Sequence, residues 1–173
     1  MNTSAFGSAA PPGQALAIQA SDGWNIPNSI DADPSPQAIA LAKAAPSYRL
    51  LIASVTSLGP PSGRYNCHGL VFGSRRVNID SPDLPVDIAH LLTRDRYGPV
   101  RRGAPQVGDV VVYKGPAQIE HTGFVSRLEP LAGISTAPVV IVWSMWGGLG
   151  EFEHRVTASP YADCNVEYWR LGQ

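Results

Sequence analysis

The sequence predicts an α+β fold in which helices come first and an antiparallel sheet follows. Two observations carry this expectation. The helical patterns all lie ahead of Gly98, whereas the β-branched and aromatic runs all lie beyond Gly108. Gly (17) and Pro (16) punctuate the 173 residues too often for a helix bundle, and fit short elements joined by many turns.

Residues 1–34, rich in Ala, Gly, Pro, Ser and Asp with Trp24 as an anchor, read as an extended, partly mobile lead-in; residues 35–173 read as one domain. Ser35-Pro36 is an N-cap followed by Pro at the first helical position, so a helix is expected through IALAKAA. In YRLLIASVTSL, Leu51, Val55 and Leu58 fall at helical spacing, with a buried strand as the other reading. GPPSG (59–63) is a loop. In VDIAHLLTRDRYG, Ile88, Leu91 and Leu92 share one helical face, with Pro85 at the start and Gly98 at the end. DVVVY, HTGFVSR, PVVIVWS, EFEHRV and VEYWRL then read as five strands.

A formal net charge of −1, from 13 basic and 14 acidic residues, offers no field for a phosphate backbone, so nucleic acid is excluded as a partner. No membrane contact is expected, because the longest apolar stretch (137–150) holds Pro, Ser and Gly and is shorter than the ~20 residues a bilayer requires. The opening MNTSAFGSAAPPGQALAIQA has neither a basic start nor a continuous apolar run. Two cysteines are too few for a disulfide scaffold. The expectation is a reduced cytoplasmic protein, or one exported without a cleavable signal.

Cys67 is the first candidate for chemistry. It follows a Pro/Gly/Ser loop and Asn66 and precedes the apolar GLVFG. With Asn66 as N-cap, Cys67 falls in the first helical turn, where free N–H groups favour a thiolate nucleophile. His121 opens a strand on which residues 121, 123 and 125 share a face, and Gly123 lets backbone or substrate come close there. A strand histidine facing a helix cysteine is the arrangement of a thiolate–imidazolium pair.

N-C-H-G-L-V (66–71), P-Q-V-G-D-V-V-V-Y (105–113) and H-T-G-F-V (121–125), in that order, resemble the three blocks of the NlpC/P60 family of papain-like cysteine peptidases and amidases. The related CHAP amidases share the layout. The resemblance runs over about 80 residues, Tyr65 to Ser144, and departs from the family at Asn66 and His68, where the family has Asp and Ser. It implies a papain-like fold, with helices packed on an antiparallel sheet. It implies a thiol protease or amidase with Cys67 as nucleophile and His121 as base, using no metal or organic cofactor. Tyr65, Asn66 and His68 would lie beside the substrate, and Trp143 and Trp146 of WSMWGG would wall the groove.

The family's third polar residue, which orients the histidine, has no His, Asn or Gln counterpart in VVIVWSMWGG. Ser144 is the first candidate for that role and His154, on the next strand, its rival. By resemblance the substrate is a peptide or peptidoglycan fragment, cut at a bacterial stem-peptide bond. An inhibitor or immunity protein would be the partner if the chain is an exported antibacterial effector. An intracellular deamidase, peptidase or acyltransferase would use the same pair, and an inactive binding module would use only the aromatic groove.

Overall fold

The computed structural model describes residues 15–100, 105–130 and 138–172. In chain order the elements are β1 (Asn28–Ser29), α1 (Pro36–Ala44), α2 (Pro46–Arg49), a 3-10 turn at Ile52–Ser54, β2 (Thr56–Ser57), α3 (Cys67–Phe72), β3 (Asn78–Ile79), α4 (Ile88–Arg94) and β4 (Tyr97–Pro99). Then come β5 (Val110–Lys114), β6 (Ile119–Glu129), β7 (Val139–Met145), a 3-10 turn at Gly147–Leu149, β8 (Glu151–Arg155) and β9 (Asn165–Leu171). The architecture is α+β, with short helices and one seven-stranded antiparallel sheet in the order β2-β8-β7-β6-β5-β9-β4. A separate ribbon pairs β1 with β3.

α1 starts where the sequence places it, because the Ser35 side chain accepts from Ala38 N and Pro36 needs no hydrogen-bond partner for its nitrogen. YRLLIASVTSL is neither one helix nor one buried strand. It breaks into the end of α2, a 3-10 turn and the two-residue β2. α4 is shorter at both ends than expected. Asp87, not Pro85, opens it by accepting from His90 N, and Arg96 takes a left-handed φ of 62° after the last turn. Gly98 therefore belongs to β4.

The expected lead-in needs correcting. Residues 15–34 do run extended, but Ile18, Ala20, Ile26 and Ile30 are buried in the largest core cluster beside Val77, Ile79, Leu91 and Leu92. Gly23, at φ 87°, turns the chain so that Gln19 pairs with Asn25. Leu16, Ile18, Ala20, Trp24, Ile26 and Ile30 all occupy even positions, the period of a chain with one buried face. Residues 1–14 lie outside the described ones.

Register assigns side chains to the two faces of the sheet. Pairing of Val111 with Gly123, Tyr113 with His121, Gly123 with Ser144 and Val142 with His154 sets His121, Ser144 and His154 on one face. Val112, Thr122, Phe124, Trp143 and Met145 point to the other, where α3 packs through Leu70. Gly123 is required by this pairing. A Cβ there would come within 2.8 Å of Ser144 Cβ and 2.7 Å of the Trp143 carbonyl oxygen.

Candidate functional site

Cys67 is the first residue of α3, and Asn66 is its N-cap, accepting from Gly69 N at 2.8 Å. Asn66 also grips β3, donating to the Ile79 carbonyl at 2.6 Å and accepting from Ile79 N at 3.1 Å. With its amide committed to those bonds, Asn66 clamps the start of α3 to β3. Gly69 lets α3 lie against the same segment, since a Cβ there would fall 1.7 Å from the Val77 carbonyl oxygen. The Cys67 side chain is left only 8% exposed. Burial pushes its thiol up to about 11, opposed by the backbone N–H groups of Thr122, His68 and Cys67 itself.

Thr122 ties β6 to the start of α3. Its hydroxyl donates to the Cys67 carbonyl at 3.2 Å and meets His68 Nδ1 at 3.0 Å. The single hydroxyl proton goes to Cys67, so His68 Nδ1 carries a proton and donates. His68 is buried, and desolvation lowers its pKa to about 4. It therefore pins helix to strand as a neutral imidazole and does not line a substrate cleft, which corrects that expectation.

His121 is fully buried on the face of the sheet opposite α3, yet the peptide that joins it to Thr122 presents its N–H to the Cys67 sulfur. The imidazole lies flat on the Tyr161 ring, with centroids 4.0 Å apart and planes 10° from parallel, and Tyr113 flanks it at 5.4 Å. Neither ring nitrogen has a hydrogen-bond partner among the described residues. The hydrogen bond expected between thiol and imidazole is thus not made. Burial holds His121 well below the usual histidine range, and His68 and His154 act in the same direction.

The candidates for third residue bond to each other instead. Ser144 Oγ lies 2.9 Å from His154 Nε2 and accepts from Trp146 Nε1 at 3.1 Å, while His154 Nδ1 is 2.8 Å from the Arg155 carbonyl. His154 Nδ1 must donate to that carbonyl, so the Ser144 hydroxyl donates to Nε2 and the chain closes without His121. Strand alternation puts Ser144 on the right face, but two residues along from His121. Trp146 lines a cavity of about 240 Å³ with Pro34, Tyr48 and Leu149, apart from the one lined by Tyr65 and Asn66. It is 1% exposed and packs on Tyr48 and Phe152.

Tyr65 and Trp143 remain half-buried beside Cys67, Leu70 and Met145. Both donate to a carboxylate that sequence reasoning missed. Glu151 accepts from Tyr65 Oη at 2.5 Å, Trp143 Nε1 at 2.7 Å and Arg75 Nε at 2.7 Å. Burial alone would raise the Glu151 pKa, but these three bonds outweigh it and hold the carboxyl below its ordinary value. Arg75 also stacks over Trp143 at 4.4 Å. A cavity of about 260 Å³ is lined by Tyr65, Asn66, Asn78, Asp80, Gly147 and Gly148, among others.

Tyr161 and Thr122 were also missed. Thr122 was within reach, as the residue after His121 must point to the opposite face. Tyr161 sits in a turn-rich connection whose sequence has no periodicity to read. Both cysteines are free thiols, and Cys164 packs at the edge of the Val111–Tyr113 cluster. Among the described residues no three or more His, Cys, Asp or Glu side chains are grouped to hold a metal ion, and no helix is long and apolar enough to cross a membrane. Compared with known protein families, curated proteins and solved structures, the chain matches none.

Proposed function

We propose that this chain is a papain-like cysteine peptidase or amidase that cleaves an amide bond with Cys67 as nucleophile and His121 as base. One observation carries the reading. Of the three buried histidines around the start of α3, His68 and His154 have their hydrogen bonds satisfied and His121 has none on either nitrogen. A buried polar group without a partner costs about 1–3 kcal/mol, so an imidazole kept bare in the core is better explained by a role in proton transfer than by packing.

In the proposed reaction the Cys67 thiol passes its proton to His121, and the thiolate attacks the amide carbonyl. The backbone N–H groups of Cys67, His68 and Thr122, which already oppose the rise in thiol pKa, suit the developing oxyanion. His121 then protonates the leaving amine, giving a thioester that water hydrolyses with His121 again as base. The peptide stem of bacterial peptidoglycan is the first substrate to try, with Tyr65 and Trp143 at the rim of the groove. The buried thiol favours a second reading, a binding module without turnover, in which Cys67 stays unreactive.

Site-resolved alkylation of Cys67 against pH separates these readings. A working dyad gives measurable Cys67 modification at pH 6–7 that His121→Ala abolishes, and Cys67→Ala removes all hydrolysis of peptidoglycan fragments. Hydrolysis retained in Cys67→Ala would refute covalent catalysis. Cys67 modification that needs alkaline pH with or without His121 would leave the binding module as the better reading.

A further inference from the structure

Ser144 and His154, the two side chains expected to orient His121, are bonded elsewhere, and two aromatic rings lie against the imidazole. Tyr161 covers one imidazole face in parallel contact, and Tyr113 meets the ring at 58°. Tyr161 is itself held, since its backbone N–H donates to Ser159 Oγ at 3.2 Å, and its hydroxyl and that of Tyr48 influence each other's titration. Tyr161 also lies near enough to Cys67 for the two to interact electrostatically. We propose that Tyr161 is the positioning residue of the dyad: its stacked ring fixes the plane of the His121 imidazole and favours the imidazolium, the work a hydrogen-bonding side chain does in a triad. This rests on the Cys67–His121 reading.

The physical ground is the quadrupole of the tyrosine ring, whose negative face attracts a cation most strongly where water is excluded. The groups facing His121 from the elements around it are His68 of α3, His154 of β8, Tyr113 of β5 and Tyr161, with Cys67 acting on Tyr161. Two further carboxylates act one step away, Asp80 on Cys67 and His68, and Glu120 on Tyr161. Among the described residues the charged groups that act on His121 are His68 and His154, and neither is negative. The aromatic faces are therefore what stabilise the cation before substrate binds.

The test uses the full chain and reads iodoacetamide modification of Cys67 by peptide mass spectrometry between pH 5.5 and 10. Tyr161→Phe keeps the ring and is expected to stay within about twofold of the parent. Tyr161→Leu is expected to slow Cys67 at pH 6–7 about tenfold, with the gap closing as hydroxide takes over the deprotonation. Pentafluorophenylalanine at position 161 keeps the shape but reverses the ring quadrupole. It is expected to slow Cys67 as Leu does, and it decides the matter if the Leu variant fails to fold. Faster modification in Tyr161→Leu would mean that the ring only covers the thiol, and an equal loss at every pH would mean general loosening. Either result overturns the proposal, as does a fluorinated ring that reacts like Phe. If His121→Ala leaves the profile unchanged, the dyad itself is wrong; if it flattens the profile while the position-161 variants do not, only Tyr161 is wrong.

Discussion

Ser144 shows how far a single residue can be read from a chain and where reading stops. Its face of the sheet follows from counting along β7, but its partner depends on register with β8, where Val142 pairs with His154 and Ser144 with Phe152. No local pattern states that register. Ser144→Ala would leave His154 Nε2 without its donor inside the core, so the expected effect is a loss of about 1–2 kcal/mol in denaturant unfolding. Cys67 alkylation should be unchanged, because Ser144 does not touch His121. The Glu151 site is illegible for a similar reason, as Arg75 and Tyr65 come from positions 76 and 86 residues away. Cys67 could be placed because Asn66 caps the helix it begins, and His121 because it lies near the start of β6, where caps and alternation leave marks in the sequence.

At the scale of elements, the strands and α1 were legible because their signals are local: a Ser-Pro cap and alternating β-branched residues. The 15–34 segment was misread because Gly, Ser and Asp content masked its two-residue period. α3 exposes a constraint that no pattern would announce. Only six residues long, it is held by Asn66 at its start and pressed on Val77 through Gly69. Gly69→Ala would drive a methyl into the Val77 carbonyl and push the helix off β3. The expected cost is about 3 kcal/mol, read as a lowered midpoint in chemical unfolding, with faster Cys67 labelling as the helix start loosens. Wild-type stability in that variant would mean that α3 sits farther from β3 than described.

For the whole molecule, the buried histidines set a pH dependence. His68, His121 and His154 all have folded pKa values below the unfolded value, so the unfolded chain binds more protons in that window. Stability is then full above about pH 7 and falls as pH drops through roughly 6.5. For His68 alone, with a folded value of about 4, the loss by pH 5 is about 2 kcal/mol. Asp109, Glu151 and Glu153 are shifted below their ordinary values, so their contributions persist at pH 5 and go only at lower pH. A thermal midpoint clearly lower at pH 5 than at pH 7.5, with part of the difference removed by His68→Gln, is the expected outcome. A flat profile across that range would show that these rings are not buried neutral.

The strand order carries one more consequence, for how the chain is made. β4 pairs only with β9, although β5 to β8 are synthesised between them. On the ribosome β5, β6, β7 and β8 can zip together in turn, each to the one just before it. β4 must meanwhile stay unpaired, and the outer edge of β5 stays open until β9 arrives to fill both places. Closure of the sheet is thus a late event in the life of the nascent chain, and a ribosome stalled anywhere before β9 would hold a protein with an unfinished edge beside the strand that carries His121.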